Sequence, residues 1–215
     1  MGDNVHPIAP TKPDVFYPIV PDIDWLKRIV PLGVRTVQLR LKNASASEID
    51  RQIAEGMSAC AEHDCQFIVN DYWQAAIKHG ATDLHLGQED LATADLDAIR
   101  QAGIKLGIST HTEAELEIAL AAQPDSIALG PIYETKLKAM PYGTQGLDRI
   151  TEWKQRIGAM PLIAIGGMTP ERATQAASHG ADTVSVITDF LTAEDPEARV
   201  AEWVNWAKLH RKPSQ

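Results

Sequence analysis

Eight short apolar runs constrain the fold of this chain more than any other feature of its sequence. Each has the length and residue types of a buried β-strand, and together they predict strands over 16–20, 36–39, 66–69, 84–86, 106–108, 126–129, 162–165 and 183–186. Segments with helical character lie between the runs, including 47–62, 94–102, 112–122, 147–156, 170–179 and 196–209. Strands that alternate with helices in this way predict a parallel sheet covered by helices.

Residues that start and stop helices mark the boundaries of several of these segments. Thr169 and Asp195 each precede a proline, which is typical of an N-cap followed by proline at the first helical position. Gly80, Gly103 and Gly180 each fall where a helix would end and the next strand begin. Eight βα units of this size predict a single-domain (β/α)8 TIM barrel, with an open doubly wound sheet as the structural alternative.

Length and charge narrow the range of functions. The 215 residues suit one domain, with residues 1–14 as an N-terminal tail and residues 15–215 as the barrel. The net charge of −9 argues against nucleic acid as a partner. No apolar run is long enough to cross a membrane, and the N-terminal stretch has no signal-peptide core, so we expect a cytoplasmic protein. Cys60 and Cys65 are expected to be inert thiols. The sequence is compatible with a homo-oligomer but does not specify the oligomeric state.

Polar residues follow the predicted strands at the ends that would form one mouth of a barrel, where this fold carries its active sites. Strand alternation places Gln38, Arg40 and Lys42 on the same inward side. Unpaired cations there would be costly to bury, so we interpret them as an anion-binding group rather than a solvated edge. A guanidinium can hold a diphosphate bidentately, and an ammonium adds a point charge.

Two carboxylates and a glycine pair complete this mouth. Asp71 and Asp90 follow neighbouring strands and would suit Mg²⁺, which takes one or two carboxylates together with substrate phosphate oxygens. For Asp90 alone, a helix N-cap is the alternative. Gly166 and Gly167 before the helix start at Thr169, with Ile187 and Thr188 after the last strand, match the phosphate site that many barrels form there.

Simpler explanations exist for some of these residues. A tight turn that requires positive φ is the alternative for Gly166 and Gly167. For His85 and His111, a packing or capping role is favoured over chemistry.

The motifs around these positions resemble the thiamine phosphate synthase family from about Phe16 to the final helix. The resemblance depends on the order and spacing of seven segments, which are Val37 to Lys42, Ile68 to Asp71, His85 to Leu91, Gly107 to His111, Leu129 to Tyr133, Ala164 to Gly167 and Gly180 to Asp182. The family fold is a (β/α)8 barrel, in agreement with the strand count.

The resemblance implies roles for individual residues. Those implied for the pyrimidine diphosphate are Gln38, Leu39, Arg40, Leu41, Lys42, Asn70, Ser109 and Lys138, with Asp71 and Asp90 as Mg²⁺ ligands. Those implied for the thiazole phosphate are Thr135, Lys136, Leu137, Gly167, Ile187 and Thr188. The family loop usually carries a second threonine where this chain has Leu137, and a serine where it has Thr188.

The resemblance also implies the reaction. A transferase of this family joins 4-amino-2-methyl-5-(diphosphooxymethyl)pyrimidine to 4-methyl-5-(2-phosphooxyethyl)thiazole and releases diphosphate. Arg40, Lys42 and Lys138 are implied to neutralise the charge that grows on the leaving diphosphate, together with Mg²⁺. Two alternatives use the same barrel: a thiazole tautomerase-like isomerase, which would need no metal pair, and a ligand-binding paralogue without turnover.

Overall fold

The chain folds into a closed barrel of eight parallel strands in sequence order. The computed structural model describes residues 12–135 and 143–211. The strands are β1 Phe16–Val20, β2 Thr36–Leu39, β3 Gln66–Asn70, β4 Asp83–Leu86, β5 Lys105–Thr110, β6 Ser126–Leu129, β7 Leu162–Ile165 and β8 Thr183–Val186. Because β1 pairs with β8, with Tyr17 opposite Ser185, the sheet has no free edge. The predicted (β/α)8 barrel is confirmed, and the open sheet is excluded.

Helices connect successive strands around the outside of the barrel. They are α1 Ile23–Ile29, α2 Ala46–Ala61, α3 Trp73–His79, α4 Gln88–Leu91, α5 Leu96–Gln101, α6 Glu113–Ala121, α7 Gly146–Ile157, α8 Pro170–Ser178, α9 Thr188–Leu191 and α10 Pro196–His210. A 3₁₀ turn, Val30–Leu32, follows α1. The six helical segments named from the sequence are all present, whereas α1, α3, α4 and α9 were not among them.

The boundary residues act as their types predict. The side chain of Thr169 accepts a hydrogen bond from the backbone N–H of Arg172, and Asp195 caps α10 in the same way. Gly80, Gly103 and Gly180 have φ values of 69°, 72° and 109°, a region that L-residues with side chains rarely adopt. These glycines therefore let the chain leave a helix and enter the next strand.

Side chains alternate between two environments along each strand. On β2, Val37 and Leu39 pack into the apolar layer between barrel and helices, while Gln38 points into the barrel, where it is 2% exposed. A small apolar cluster inside the barrel includes Tyr17 and Ile68. The interior below the mouth is thus largely filled, so a substrate-sized ligand has to bind at the mouth.

The end of the barrel opposite the mouth is covered by the two ends of the described chain. The backbone N–H of Asp14 donates to Thr36 Oγ1 at 2.9 Å, and Thr183 Oγ1 donates to the carbonyl of Pro13. After α10, the guanidinium of Arg211 binds Asp14 through two hydrogen bonds. The last residues of the predicted tail are therefore fixed to the barrel, while residues 1–11 lie outside the described part.

The remaining expectations about the whole molecule concern the membrane and the thiols. No helix in residues 12–135 and 143–211 is long and apolar enough to cross a membrane. Cys60 and Cys65 are buried and unbridged. A hydrogen bond from Cys60, with burial as the second cause, raises the pKa of Cys65 well above its ordinary value. This thiol stays protonated, which agrees with the expectation that it is inert.

Candidate active site

Two neighbouring loops bring Asp71 and Asp90 together at the mouth. Asp71 directly follows β3 in a left-handed conformation, with φ 65°, and its backbone N–H donates to the carbonyl of His85 at 2.9 Å. Asp90 lies within α4, the short helix after β4, whose N-cap is Gly87. The alternative that Asp90 is a helix N-cap is therefore wrong, because its side chain belongs to a position inside the helix and meets Asp71.

The electrostatics of this pair favour a cation. Burial, then the charge of Asp90 and a hydrogen bond with it, raise the pKa of Asp71 to about 6, and Arg40 acts in the opposite direction. Asn70 Nδ2 also donates to Asp71 Oδ2. Two carboxylates in contact repel each other once both are ionised. A divalent cation between them would relieve that repulsion.

The donor set fits Mg²⁺ better than a metal held entirely by protein side chains. Within the described ranges, no group of three or more His, Cys, Asp or Glu side chains could hold a metal ion. Two carboxylates are the usual protein contribution to Mg²⁺, which completes its shell with waters and phosphate oxygens. Asp71 and Asp90 thus match the ligand set expected for a phosphate-bound magnesium ion.

The β2 side of the mouth carries an amide and a cation at different depths. Gln38 Nε2 donates to the hydroxyl of Tyr17 at 2.6 Å inside the barrel. Burial raises the pKa of Tyr17 far above its ordinary value, so the phenol is neutral. Arg40 is half-buried, and its charge reaches both Asp71 and His85. The guanidinium therefore lies beside the carboxylate pair.

Of the remaining members of this segment, only Lys42 departs from the expected inward row. Lys42 is exposed, because β2 ends at Leu39 and strand alternation does not extend to residue 42. Leu39 and Leu41 have their side chains in the apolar layer, where they are 2% and 6% exposed. Only backbone groups of these two leucines are left for a ligand. The expectation that both cations point inward is therefore corrected to Arg40 alone.

Ser109 on β5 is held at two points. His85 Nε2 lies 2.8 Å from Ser109 Oγ, and Gln88 Nε2 donates to the Ser109 carbonyl at 2.6 Å. Burial, and secondly the charge of Arg40, lower the pKa of His85 to about 4. The sequence favoured a packing or capping role for His85, and the structure shows a buried ring that also contacts Ser109. Since a histidine with so low a pKa is a weak base near neutral pH, this contact does not make Ser109 an activated nucleophile.

His111 has the local role expected of it. Its backbone N–H and its Nδ1 both lie within hydrogen-bonding distance of Glu115 Oε2, at 2.6 and 2.8 Å. The contact spans the first turn of α6. His111 therefore stabilises the start of that helix.

The opposite side of the mouth is formed by the loops after β7 and β8. Gly166 and Gly167 have φ values of 104° and 63°, and a Cβ on Gly167 would lie 2.5 Å from the carbonyl oxygen of Glu134. The positive-φ explanation therefore holds for both glycines. Ile187 is the N-cap of α9 and Thr188 is its first residue. These positions face the mouth from strand ends, as the phosphate site requires.

The long loop after β6 is described only in part. Thr135 is the last residue before the gap in the described chain. Lys136, Leu137 and Lys138 lie outside the described residues, so their expected roles stay predictions. The Leu137 departure from the family pattern is likewise not tested.

Sequence reasoning gave no role in the site to three residues near the mouth: Tyr17, His85 and Gln88. Tyr17 and His85 occupy inward positions of β1 and β4, and Gln88 starts α4. The alternation that identified Gln38 would also have pointed Tyr17 and His85 into the barrel. Their hydrogen-bond partners come from other strands, and no local pattern specifies those.

Comparison with known proteins identifies relatives of this chain. A family model described as thiamine monophosphate synthase matches residues 8–190. A thiamine-phosphate synthase from Rhizobium etli is 52% identical over 191 residues, covering 89% of this chain and 94% of the relative. A thiamine-phosphate synthase from Citrobacter koseri is 42% identical over 179 residues, covering 83% of this chain and 85% of the relative.

Solved structures agree at the level of the fold. A thiamine phosphate pyrophosphorylase from Pyrococcus furiosus superposes with a TM-score of 0.79 at 23% identity, covering 90% of this chain and 95% of the other. One from Bacteroides thetaiotaomicron gives a TM-score of 0.67 at 12% identity, covering 93% of this chain and all of the other. Both show the same barrel architecture.

Proposed function

Because this chain belongs to the thiamine monophosphate synthase family, we propose that its barrel mouth joins an aminopyrimidine methyl diphosphate to a thiazole phosphate. The enzyme is a transferase whose products are thiamine phosphate and diphosphate. The observation that supports this assignment within the molecule is the contact of Asp71 with Asp90 beside Arg40. That arrangement suits a metal-bound diphosphate. Its substrates are small molecules. The cytoplasmic location and the assembly into a homo-oligomer stay predictions.

The diphosphate is assigned to the side of the mouth formed by β2 to β5. Asp71 and Asp90 would hold Mg²⁺, which would supply positive charge to the diphosphate oxygens. Arg40 can add a bidentate contact from the half-buried rim, while exposed Lys42 and, from the loop after β6, Lys138 add point charges. Asn70 and Ser109 complete the polar wall.

The pyrimidine ring is assigned to the inner side of the same pocket. Gln38 Nε2 donates one hydrogen bond to Tyr17, and Gln38 Oε1 is the acceptor that this side chain can offer a ligand. A carbonyl oxygen accepts hydrogen bonds, so it suits the N–H donors of the 4-amino group. Electron donation from that amino group stabilises the cation formed at the ring CH₂ when the C–O bond breaks.

The chemistry needs no nucleophilic side chain. The bonding electrons of the C–O bond leave with the diphosphate, and the thiazole nitrogen then forms the new C–N bond to the CH₂ carbon. Positive groups such as Arg40 interact more strongly as negative charge grows on the leaving oxygens, and this difference lowers the barrier. The protein contributes mainly position and charge.

The thiazole phosphate is assigned to the loops after β6, β7 and β8. Thr135, Lys136, Leu137, Gly167, Ile187 and Thr188 are the residues proposed for it. These loops lie on the opposite side of the mouth from Asp71 and Asp90. The thiazole phosphate and the diphosphate would therefore bind apart, and each half of the site can be perturbed by itself. The family usually has a threonine hydroxyl where this chain has Leu137. The neighbouring Lys136 offers a positive charge in its place.

Product analysis distinguishes this assignment from its alternatives. Purified protein is mixed with both substrates and Mg²⁺, and diphosphate release is followed together with thiamine phosphate. A tautomerase-like isomerase would convert the thiazole substrate without releasing diphosphate. A binding paralogue would show heats of binding in calorimetry but no product. Either outcome would overturn the proposed function.

A further inference from the structure

A buried imidazole supports the side chain of Ser109 from beneath the mouth. His85 is 8% exposed, and its Nε2 lies 2.8 Å from Ser109 Oγ, while Ser109 itself is partly open to the mouth. Gln88 fixes the Ser109 backbone through its carbonyl at 2.6 Å. The residue is thus held by its main chain and by its side chain.

Gly107 makes this contact possible. It is paired with His85 across β4 and β5. A Cβ on Gly107 would lie 2.8 Å from His85 Nδ1 and 2.9 Å from Ser126 Oγ. Any larger residue would displace the ring, so the imidazole packs directly against the backbone of β5. With Nδ1 turned towards that backbone, Nε2 is the nitrogen that faces the mouth.

The direction of the hydrogen bond decides what Ser109 offers a ligand. A serine hydroxyl has one proton and two lone pairs. If Ser109 donated to His85, its lone pairs would face the diphosphate and repel it. If His85 Nε2–H donates instead, the hydroxyl proton remains for the diphosphate. Only the second arrangement stabilises negative charge on the leaving group.

We propose that His85 is a positioning residue that donates from Nε2 to Ser109 and thereby directs the Ser109 proton at the departing diphosphate. This inference rests on the proposed function. His85 transfers no proton in this role: its Nδ1 is turned towards the backbone of Gly107, whereas the histidine of a catalytic triad is oriented by a carboxylate at that nitrogen. The bonds that form and break are those of the substrates alone.

The test is a double-mutant cycle. His85→Leu and His85→Gln are made in the wild type and in Ser109→Ala, and single-turnover rates are measured with both substrates and Mg²⁺. We expect His85→Leu to lower the rate about tenfold, the scale of one hydrogen bond, and to leave the KM for thiazole phosphate unchanged. His85→Gln keeps an N–H donor at similar reach and should recover part of the rate. In the Ser109→Ala background, His85→Leu should cause no further loss.

Two further variants separate positioning from simple destabilisation. Gly107→Ala should reproduce the His85→Leu defect, because its methyl group displaces the ring. Thr183→Val removes a buried hydrogen bond at the opposite end of the barrel, and should lower the melting temperature without the rate defect. A loss from His85→Leu that is equally large in the Ser109→Ala background, or no loss at all, overturns the inference. If the wild type itself forms no thiamine phosphate, the proposed function fails instead.

Discussion

Replacement of Asp90 by asparagine should change stability in opposite directions without and with Mg²⁺. Without a cation, the ionised carboxylates of Asp71 and Asp90 oppose folding, and asparagine removes one of the two charges. With Mg²⁺, the same change removes one of two protein ligands. Asp90→Asn should therefore be more stable than the wild type in a chelator and less responsive to the metal.

The size of the metal-free effect follows from the pKa of Asp71. Burial first, and Asp90 second, raise that pKa from 3.8 to about 6. One pKa unit corresponds to about 1.4 kcal/mol. Only part of the shift comes from Asp90, and solvent at the mouth screens the pair, so the gain in unfolding free energy is about 1 kcal/mol. For a chain of this size, that is about 2–4 °C in melting temperature.

The pH dependence has a definite sign. The folded-state pKa of Asp71 lies above its unfolded value, so well below about pH 4 the carboxyl is protonated in both states and no penalty exists. The penalty develops between about pH 4 and about pH 6, where only the unfolded chain has lost the proton, and is complete by about pH 7. Asp90→Asn should therefore gain stability over the wild type at about pH 8 but not at about pH 4.

Thermal unfolding at both pH values, in EDTA and in saturating Mg²⁺, measures these effects. At a hundredfold excess over its dissociation constant, Mg²⁺ should stabilise the wild type by about 2.7 kcal/mol, or roughly 5–10 °C. Glu89→Gln is the matched control, since Glu89 is an exposed neighbour on α4. The reasoning is refuted if Asp90→Asn is less stable than the wild type in EDTA near pH 8 and keeps the full Mg²⁺ response.

Three further predictions address other parts of the molecule. Arg40→Ala should lower kcat about a hundred- to a thousandfold, with partial recovery in Arg40→Lys, and a normal single-turnover rate would contradict it. Gly167→Ala should raise the KM for thiazole phosphate and spare the diphosphate half, because its Cβ would meet the Glu134 carbonyl; an unchanged KM would count against the site. Gly56→Ala should lower the unfolding free energy by about 1–3 kcal/mol in denaturant titrations, since its Cβ would lie 2.6 Å from the Phe67 ring.

The sequence predicted the barrel well because buried parallel strands carry continuous apolar runs. The short helices were harder to predict from the sequence. Helix α1, Ile23–Ile29, spans only seven residues, and α4 and α9 only four each. Such helices have too few turns to show an apolar period, and packing against the barrel stabilises them more than local preference does.

The carboxylate pair and the buried imidazole show the same limit within the site. Asp71 and Asp90 could be placed together because the ends of neighbouring parallel strands meet. The left-handed φ of Asp71 and the contact of His85 with Ser109 could not be predicted from the sequence. Both depend on how side chains from different strands fit together. Lys42 was misplaced for a related reason, since alternation holds only while the strand lasts.

Direct detection of both products tests the central claim. Purified protein, the two substrates and Mg²⁺ should give thiamine phosphate and diphosphate in equal amounts, the first measured by mass spectrometry and the second by a phosphate assay coupled to pyrophosphatase. Omission of either substrate should abolish both signals. Folded protein that yields neither product under these conditions would contradict the account.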